Sequence, residues 1–471
     1  MGETGYDLVI RSGTLATAGE SFVADLAIAG GRIAAIGENL PPGRDEIDAC
    51  GLLVLPGGVD AHCHVDEPPY AGARHADDFR SASRAAACGG TTTILPFANQ
   101  VPDRPLRQSL EDYHRRAEGR SLIDYAFHLI IRQPTASVVG QELPSLIAEG
   151  YTSFKVFMTY PGYMLEDEPI LELLDLTRRE GALLMVHAEN GHCVHWMTER
   201  LERAGDVGLG AHGRAAPPAV EREATHRAIA LAEVAGARVL LVHVSSAQAL
   251  EQIRWAQDRG LPVLAETCPQ YLFLGQADLE RPGWEAAKFI CSPPPRGPQD
   301  ADALWRGIAQ GAFQLVSSDH CAYRLDGREG KRAHGDELHF RKVANGVPGI
   351  ETRLPLLFHE GVGKGRLTLQ QFVAATSTNP ARIYGLYPRK GGLAIGGDAD
   401  IAIWDPAKRV TIRHAELHDA CDYTPYEGRE LEGWPVVTLS RGERIWDRGR
   451  VSEAYGRGRF LPCDRLGPPS S

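Results

Sequence analysis

No apolar run in this chain of 471 residues approaches the ~18 residues that cross a membrane. Paired cysteines are missing as well. The nine thiols stand singly at 50, 63, 88, 193, 268, 291, 321, 421 and 463, with no Cys-x-x-Cys among them. An odd, scattered set in a chain of this length makes no disulfide framework and predicts reduced thiols in a cytoplasmic protein. The opening MGETGYDLVI lacks the basic and apolar regions of a secretory signal, and Tyr6 breaks the myristoylation pattern. Positive charge is in deficit: 50 Lys and Arg against 61 Asp and Glu give a net charge of −11. That balance, with a pI near 5.9, argues against nucleic acid or an anionic membrane as partner. A glycine-rich phosphate turn is also absent, because GVGKGR at 361–366 follows no strand and reads as a loop. What remains is 43% hydrophobic and 24% charged, an ordinary globular composition with material for one large and one small domain.

The texture of the chain changes twice. Residues 1–55 carry short strands punctuated by glycine, as in YDLVIRSG and RIAAIG, and the same texture returns over 386–455 in DADIAIWDP and PVVTLSRG. The two ends are expected to build one small β-sandwich domain. Between them, over 56–385, eight apolar runs alternate with helical periods, which is the (β/α)₈ count. Near-continuous apolar runs fit parallel strands covered on both faces. The Gly/Pro-rich stretch 456–471 is expected to be a tail, disordered or packed on another subunit.

Reactive residues of such a barrel stand at the C-terminal ends of its strands. Those ends carry His62 and His64 in DAHCHVD, Lys155 in SFKVFM, His187 in VHAEN, His243 in VHVSS and Asp319 in SSDHC. Each alone has a bland reading as a packed histidine or a helix cap. Residues i and i+2 of one strand share a face, however, and the whole set on different strands of one barrel points to a metal site. Lys155 sits among small and apolar neighbours, where an unpaired ammonium would be costly. Apolar surroundings favour the neutral amine, which carbon dioxide can convert to a carbamate with two oxygens. Such a group could bridge two divalent ions roughly 3.5–4 Å apart. Imidazole and oxygen donors suit zinc first, with manganese or cobalt as substitutes.

The ordered segments PGGVDAHCHVDEP, SFKVFMTY, VHAENG, VHVSSAQAL, ETCPQYLFL, CSPPPR, SSDHC and NGVPGIETRL resemble the cyclic amidohydrolases of the dihydropyrimidinase/D-hydantoinase group. The likeness runs almost from end to end. It implies two zinc ions, one held by His62, His64 and Asp319 and one by His187 and His243, with carbamylated Lys155 between them. It further implies that Tyr160 donates to an oxyanion, that Ser292 and Asn345 hold the ring amide, and that Asp319 moves the proton. A hydroxide bridging the ions would open a dihydropyrimidine or a 5-substituted hydantoin to an N-carbamoyl amino acid. The group usually forms homotetramers, a dimer being the alternative.

Three departures stand out. The motif between the first ligands is HCH, Glu67 occupies an apolar position of the group, and Ala322 replaces a common proline. Glu67 could favour a polar substrate, but a solvated loop carboxylate is the expectation. The Glu-Pro of HVDEP also resembles allantoinases, so allantoin or a cyclic imide is the alternative substrate. A non-catalytic scaffold is the third reading, opposed by six filled ligand positions. His75, His128, His192 and His320 are expected to be structural or surface residues.

Overall fold

The computed structural model describes residues 5–70 and 72–467. Its centre is a barrel of parallel strands: β1 (Gly58–His64), β2 (Thr91–Asn99), β3 (His128–Ile130), β4 (Ser153–Phe157), β5 (Leu183–His187), β6 (Val239–Leu241), β7 (Val263–Thr267) and β8 (Leu315–Val316). Neighbours pair in that order, and Asp124–Tyr125 adds a short pairing to β2 beside β3. Four residues beyond β8, His320–Cys321 pairs in parallel with β1 at Cys63 and His64, which closes the ring. Arg353, wholly buried, clamps the same seam by donating to the carbonyls of Val59 and Val316 at 3.2 and 3.1 Å. Closure therefore seats Asp319, late in the chain, beside His62 and His64 of the first strand. Its amide donates to the His62 carbonyl at 2.8 Å.

Local chemistry sets the helix ends between the strands. Asp78 and Ser81 form a reciprocal cap at the start of helix Phe79–Cys88. Helix Asp167–Glu180 ends at Gly181, whose φ of 68° is the left-handed conformation that stops a helix. Helix Pro218–Ala235 opens on proline, where the missing N–H costs nothing.

Strands from both ends of the chain share one nine-stranded sheet. Strand Leu53–Pro56 is its junction, parallel to Tyr6–Ala16 and antiparallel to Ile401–Thr411. The joint with the barrel is ionic. The Lys390 ammonium, fully buried, meets Asp124 of the barrel at 2.7 Å and Asp400 and Asp398 of the sheet's approach at 2.6 and 3.0 Å.

Over 456–467 the tail is not disordered but packs along the barrel of its own chain. Residues 468–471 lie outside the described residues. The Leu461 amide donates to Tyr125 O at 2.7 Å, Cys463 to Gly150 O at 3.0 Å and Leu466 to Gly181 O at 2.7 Å. Gly150 and Gly181 precede β4 and β5, so the tail crosses the N-terminal end of the barrel. Leu461 and Cys463 point into the apolar interior with Val59, Leu95 and Leu183. That end is plugged; the other stays open.

Candidate active site

At the open end the barrel holds a cavity of about 420 Å³. Eight of the nine residues singled out from the sequence line it, and the ninth, His62, lies fully buried beneath. His62 and His64, two apart on β1, both turn Nε2 toward Asp319 Oδ1, at 3.2 and 3.5 Å. The His187 and His243 rings meet edge to face 4.4 Å apart, and the His243 ring lies 5.4 Å from that of His62. Lys155 is 1% exposed, with Nζ 3.4 Å from His62 Nε2 and about equally far from the Phe97 and Phe157 rings, 5.0 and 5.2 Å to their centroids.

Burial governs the electrostatics. It lowers Lys155 to about 8, against the pull of Asp319 and Glu266 toward the charged form. Burial, joined by the charge of Lys155 and neighbouring imidazoles, drives His62 and His243 well below the ordinary histidine range, so both rings are neutral. Burial works against charge on His64 too, but Glu67 and Asp319 outweigh it and hold that ring near 9. Asp319 stays below the usual carboxylate range because His62 and His64 overcome its burial.

Do these residues fit metal ions? The ligand atoms of His62, His64 and Asp319 all lie within 4.8 Å of one another. Three ring nitrogens meet carboxyl groups. His62 Nδ1 meets Glu266 Oε1 at 2.6 Å, and His64 Nδ1 meets Glu67 Oε1 at 2.5 Å. His187 Nε2 meets Glu189 Oε2 at 2.7 Å. Outer carboxylates that fix ring orientation are the usual surroundings of metal-binding histidines. Buried His243 Nδ1 has no protein partner. Four imidazoles, an ionised carboxylate and a buried amine form a donor set suited to divalent ions of the zinc type, an ion at His64 Nε2 taking the place of the proton there.

The cavity is also lined by polar groups of another kind, Tyr160 among them, its ring 5.2 Å from that of His187. Asn345 Nδ2 donates to Ser292 Oγ at 3.0 Å. Burial keeps Tyr160 protonated, hence a donor. Gln270 Nε2 holds Asp319 Oδ2 at 3.2 Å. Backbone strain gathers here: Asp66, Tyr160, His243 and Asp319 all have φ between 40° and 72°, unusual outside glycine.

The structure corrects one expectation and extends others. Glu67 is not a solvated loop residue; it is 7% exposed and bonded to His64. His75 lines the cavity, its Nδ1 against His64 O at 3.2 Å and its Nε2 against the Tyr323 hydroxyl at 3.2 Å. His128 and His320 are structural, the first held by Ser153 and Ala61 O, the second by Asp77. Glu266, Glu189 and Gln270 went unread in the sequence. Glu266 could have been found by the signal that marked Lys155, a charged residue inside an apolar strand.

Comparison with known proteins gives a consistent picture. Residues 53–445 match the amidohydrolase family. A D-hydantoinase of Geobacillus stearothermophilus is 44% identical over 462 residues, covering 98% of this chain and 97% of the relative. A D-hydantoinase of Ralstonia pickettii is 42% identical over 456 residues, 97% and 98% of the two chains. The crystal structure of dihydropyrimidinase from Brevibacillus agri superposes with a TM-score of 0.95 at 39% identity, over 98% of this chain and 99% of that one.

Proposed function

This chain belongs to the amidohydrolase family, and from that premise we propose that it hydrolyses cyclic amides, opening a dihydropyrimidine or 5-substituted hydantoin to an N-carbamoyl amino acid. The observation that carries the reading is the inward turn of His62 and His64 onto Asp319 beside a buried lysine, in a cavity that Tyr160, Ser292 and Asn345 also line. His62, His64 and Asp319 would hold one zinc ion and His187 and His243 a second, with Lys155 as a carbamate between them; manganese or cobalt would substitute. Ions bound there supply Lewis acidity, lowering the pKa of water and polarising a carbonyl.

The protein's own groups then divide the work. Ser292 and Asn345 hold the ring amide and fix which carbonyl faces the ligands. Tyr160 donates a hydrogen bond to the oxyanion as it forms, from a preset position that needs no reorganisation. Asp319, ionised and steadied by Gln270, accepts the proton of the attacking water. It returns that proton to the departing ring nitrogen, acting as base and then acid. We assign the sheet to 1–55 and 386–455, the barrel to 56–385 and the tail to 456–471. The active particle is a homotetramer or a dimer, in the cytoplasm. No helix among the described residues is long and apolar enough to cross a membrane.

The test is a substrate panel. Zinc-loaded protein is assayed against dihydrouracil, hydantoin, a 5-aryl hydantoin, allantoin and a cyclic imide. Opening of dihydrouracil or a hydantoin is expected, whereas opening of allantoin or the imide alone would overturn the assignment.

A further inference from the structure

The chain just beyond β1 turns back sharply on itself. Asp66 adopts φ 49°, a strained left-handed conformation for a residue with a side chain. Three contacts hold it there. The Tyr113 hydroxyl donates to Val65 O at 2.5 Å, and Arg116 donates to Asp66 O and Oδ1 at 2.9 and 3.0 Å. The Asp66 amide donates to Asp77 O at 3.1 Å. The reversal returns Glu67 to the residue three places before it, with Oε1 2.5 Å from His64 Nδ1. The Glu67 side chain is 8% exposed, so solvent does little to weaken the contact. The other nitrogen of that ring faces Asp319 at 3.5 Å.

We propose that Glu67 is a positioning residue of the metal centre: it accepts the Nδ1–H of His64, fixing the ring's angle and the tautomer that leaves Nε2 free for an ion. The proposal rests on reading His64 as a metal ligand. An ionised carboxylate can only accept, so the proton of a neutral His64 must sit on Nδ1 and the lone pair must point inward. His62 is held in the same way, Nδ1 against Glu266, and His187 is held through its other nitrogen, Nε2 against Glu189, so a carboxyl partner is shared by three of the four rings. With Oε1 committed to His64, Glu67 is poorly placed to read a polar substituent on the substrate. Loss of such an outer partner lowers metal affinity about 10–100-fold in comparable sites.

Glu67→Met fills the space without an acceptor, while Glu67→Gln keeps an amide oxygen that can still take the Nδ1–H. Wild type and both variants are dialysed against graded dipicolinate, and zinc retained per chain is measured by plasma mass spectrometry. Glu67→Met should release zinc at about 10–100-fold lower chelator, with Glu67→Gln recovering most of that loss. With zinc in excess, kcat for hydantoin should fall in the methionine variant while KM stays within about twofold. Wild-type zinc retention in Glu67→Met, with a raised KM only for substrates bearing a polar substituent, would overturn the proposal in favour of substrate reading. So would equal retention with a large fall in the melting temperature of the metal-free protein, which would make Glu67 a turn-closing residue only. Wild-type protein that binds zinc but opens no cyclic amide would remove the functional assignment and leave this comparison of variants intact.

Discussion

In the proposed mechanism the chemistry turns on Lys155. Burying an ammonium costs several kcal/mol, on the order known for buried ions, which the faces of Phe97 and Phe157 offset only in part. Burial brings the Lys155 pKa down to about 8, so far more neutral amine is present near neutral pH than for an exposed lysine. The neutral form is the one that reacts with carbon dioxide, so the sign of the pH effect follows. At constant dissolved CO₂ and zinc, reactivation of metal-stripped protein should speed up as pH rises toward about 8, then level off. Stopped-time activity assays across pH 6–9 measure this, and a rate falling with pH would contradict it. Lys155→Ala should lose most metal and activity, roughly 100-fold or more, and a short carboxylic acid in solution should restore part of both. Lys155, the H-x-H pair and Asp319 were legible in the sequence because each breaks an apolar strand or ends one. Glu67 was not. Its role depends on a left-handed turn at Asp66 and on Tyr113 and Arg116 from a distant helix, and no local pattern encodes such a turn.

Among the elements, the eight strands and the helices between them followed from apolar runs and their spacing. The expectation of a disordered tail failed for a physical reason. Its glycines and prolines carry the signature of disorder, yet its hydrogen bonds go to the carbonyls of Tyr125, Gly150 and Gly181 at the ends of other elements. Only Leu461 and Cys463, two apart, hint at an inward face. Leu461 is wholly buried in the barrel's lower interior. Leu461→Ala should therefore cost about 2–5 kcal/mol in denaturant unfolding, the range of buried leucine truncations. Zinc content should be unchanged, because the ligands stand at the opposite end of the strands. A loss under about 0.5 kcal/mol, the usual size for surface changes, would contradict the plug.

For the whole molecule, the decisive event is closure of the ring. His320–Cys321 pairs with β1, Arg353 clamps the seam, and Asp319 comes to rest against His62 and His64. Membership of the amidohydrolase family and the barrel count both pointed to that closure, but the carboxylates behind the ligands emerged only when distant strands met. The central claim is that two ions share a carbamate made on Lys155. A crystal structure of fully active protein, with anomalous data collected at the zinc edge, tests it most directly. The account predicts two anomalous peaks, flanked by His62, His64 and Asp319 and by His187 and His243, with forked density beyond Lys155 Nζ joining them. An unmodified Lys155 beside no ion, in crystals of protein that retains full ring-opening activity, would contradict it.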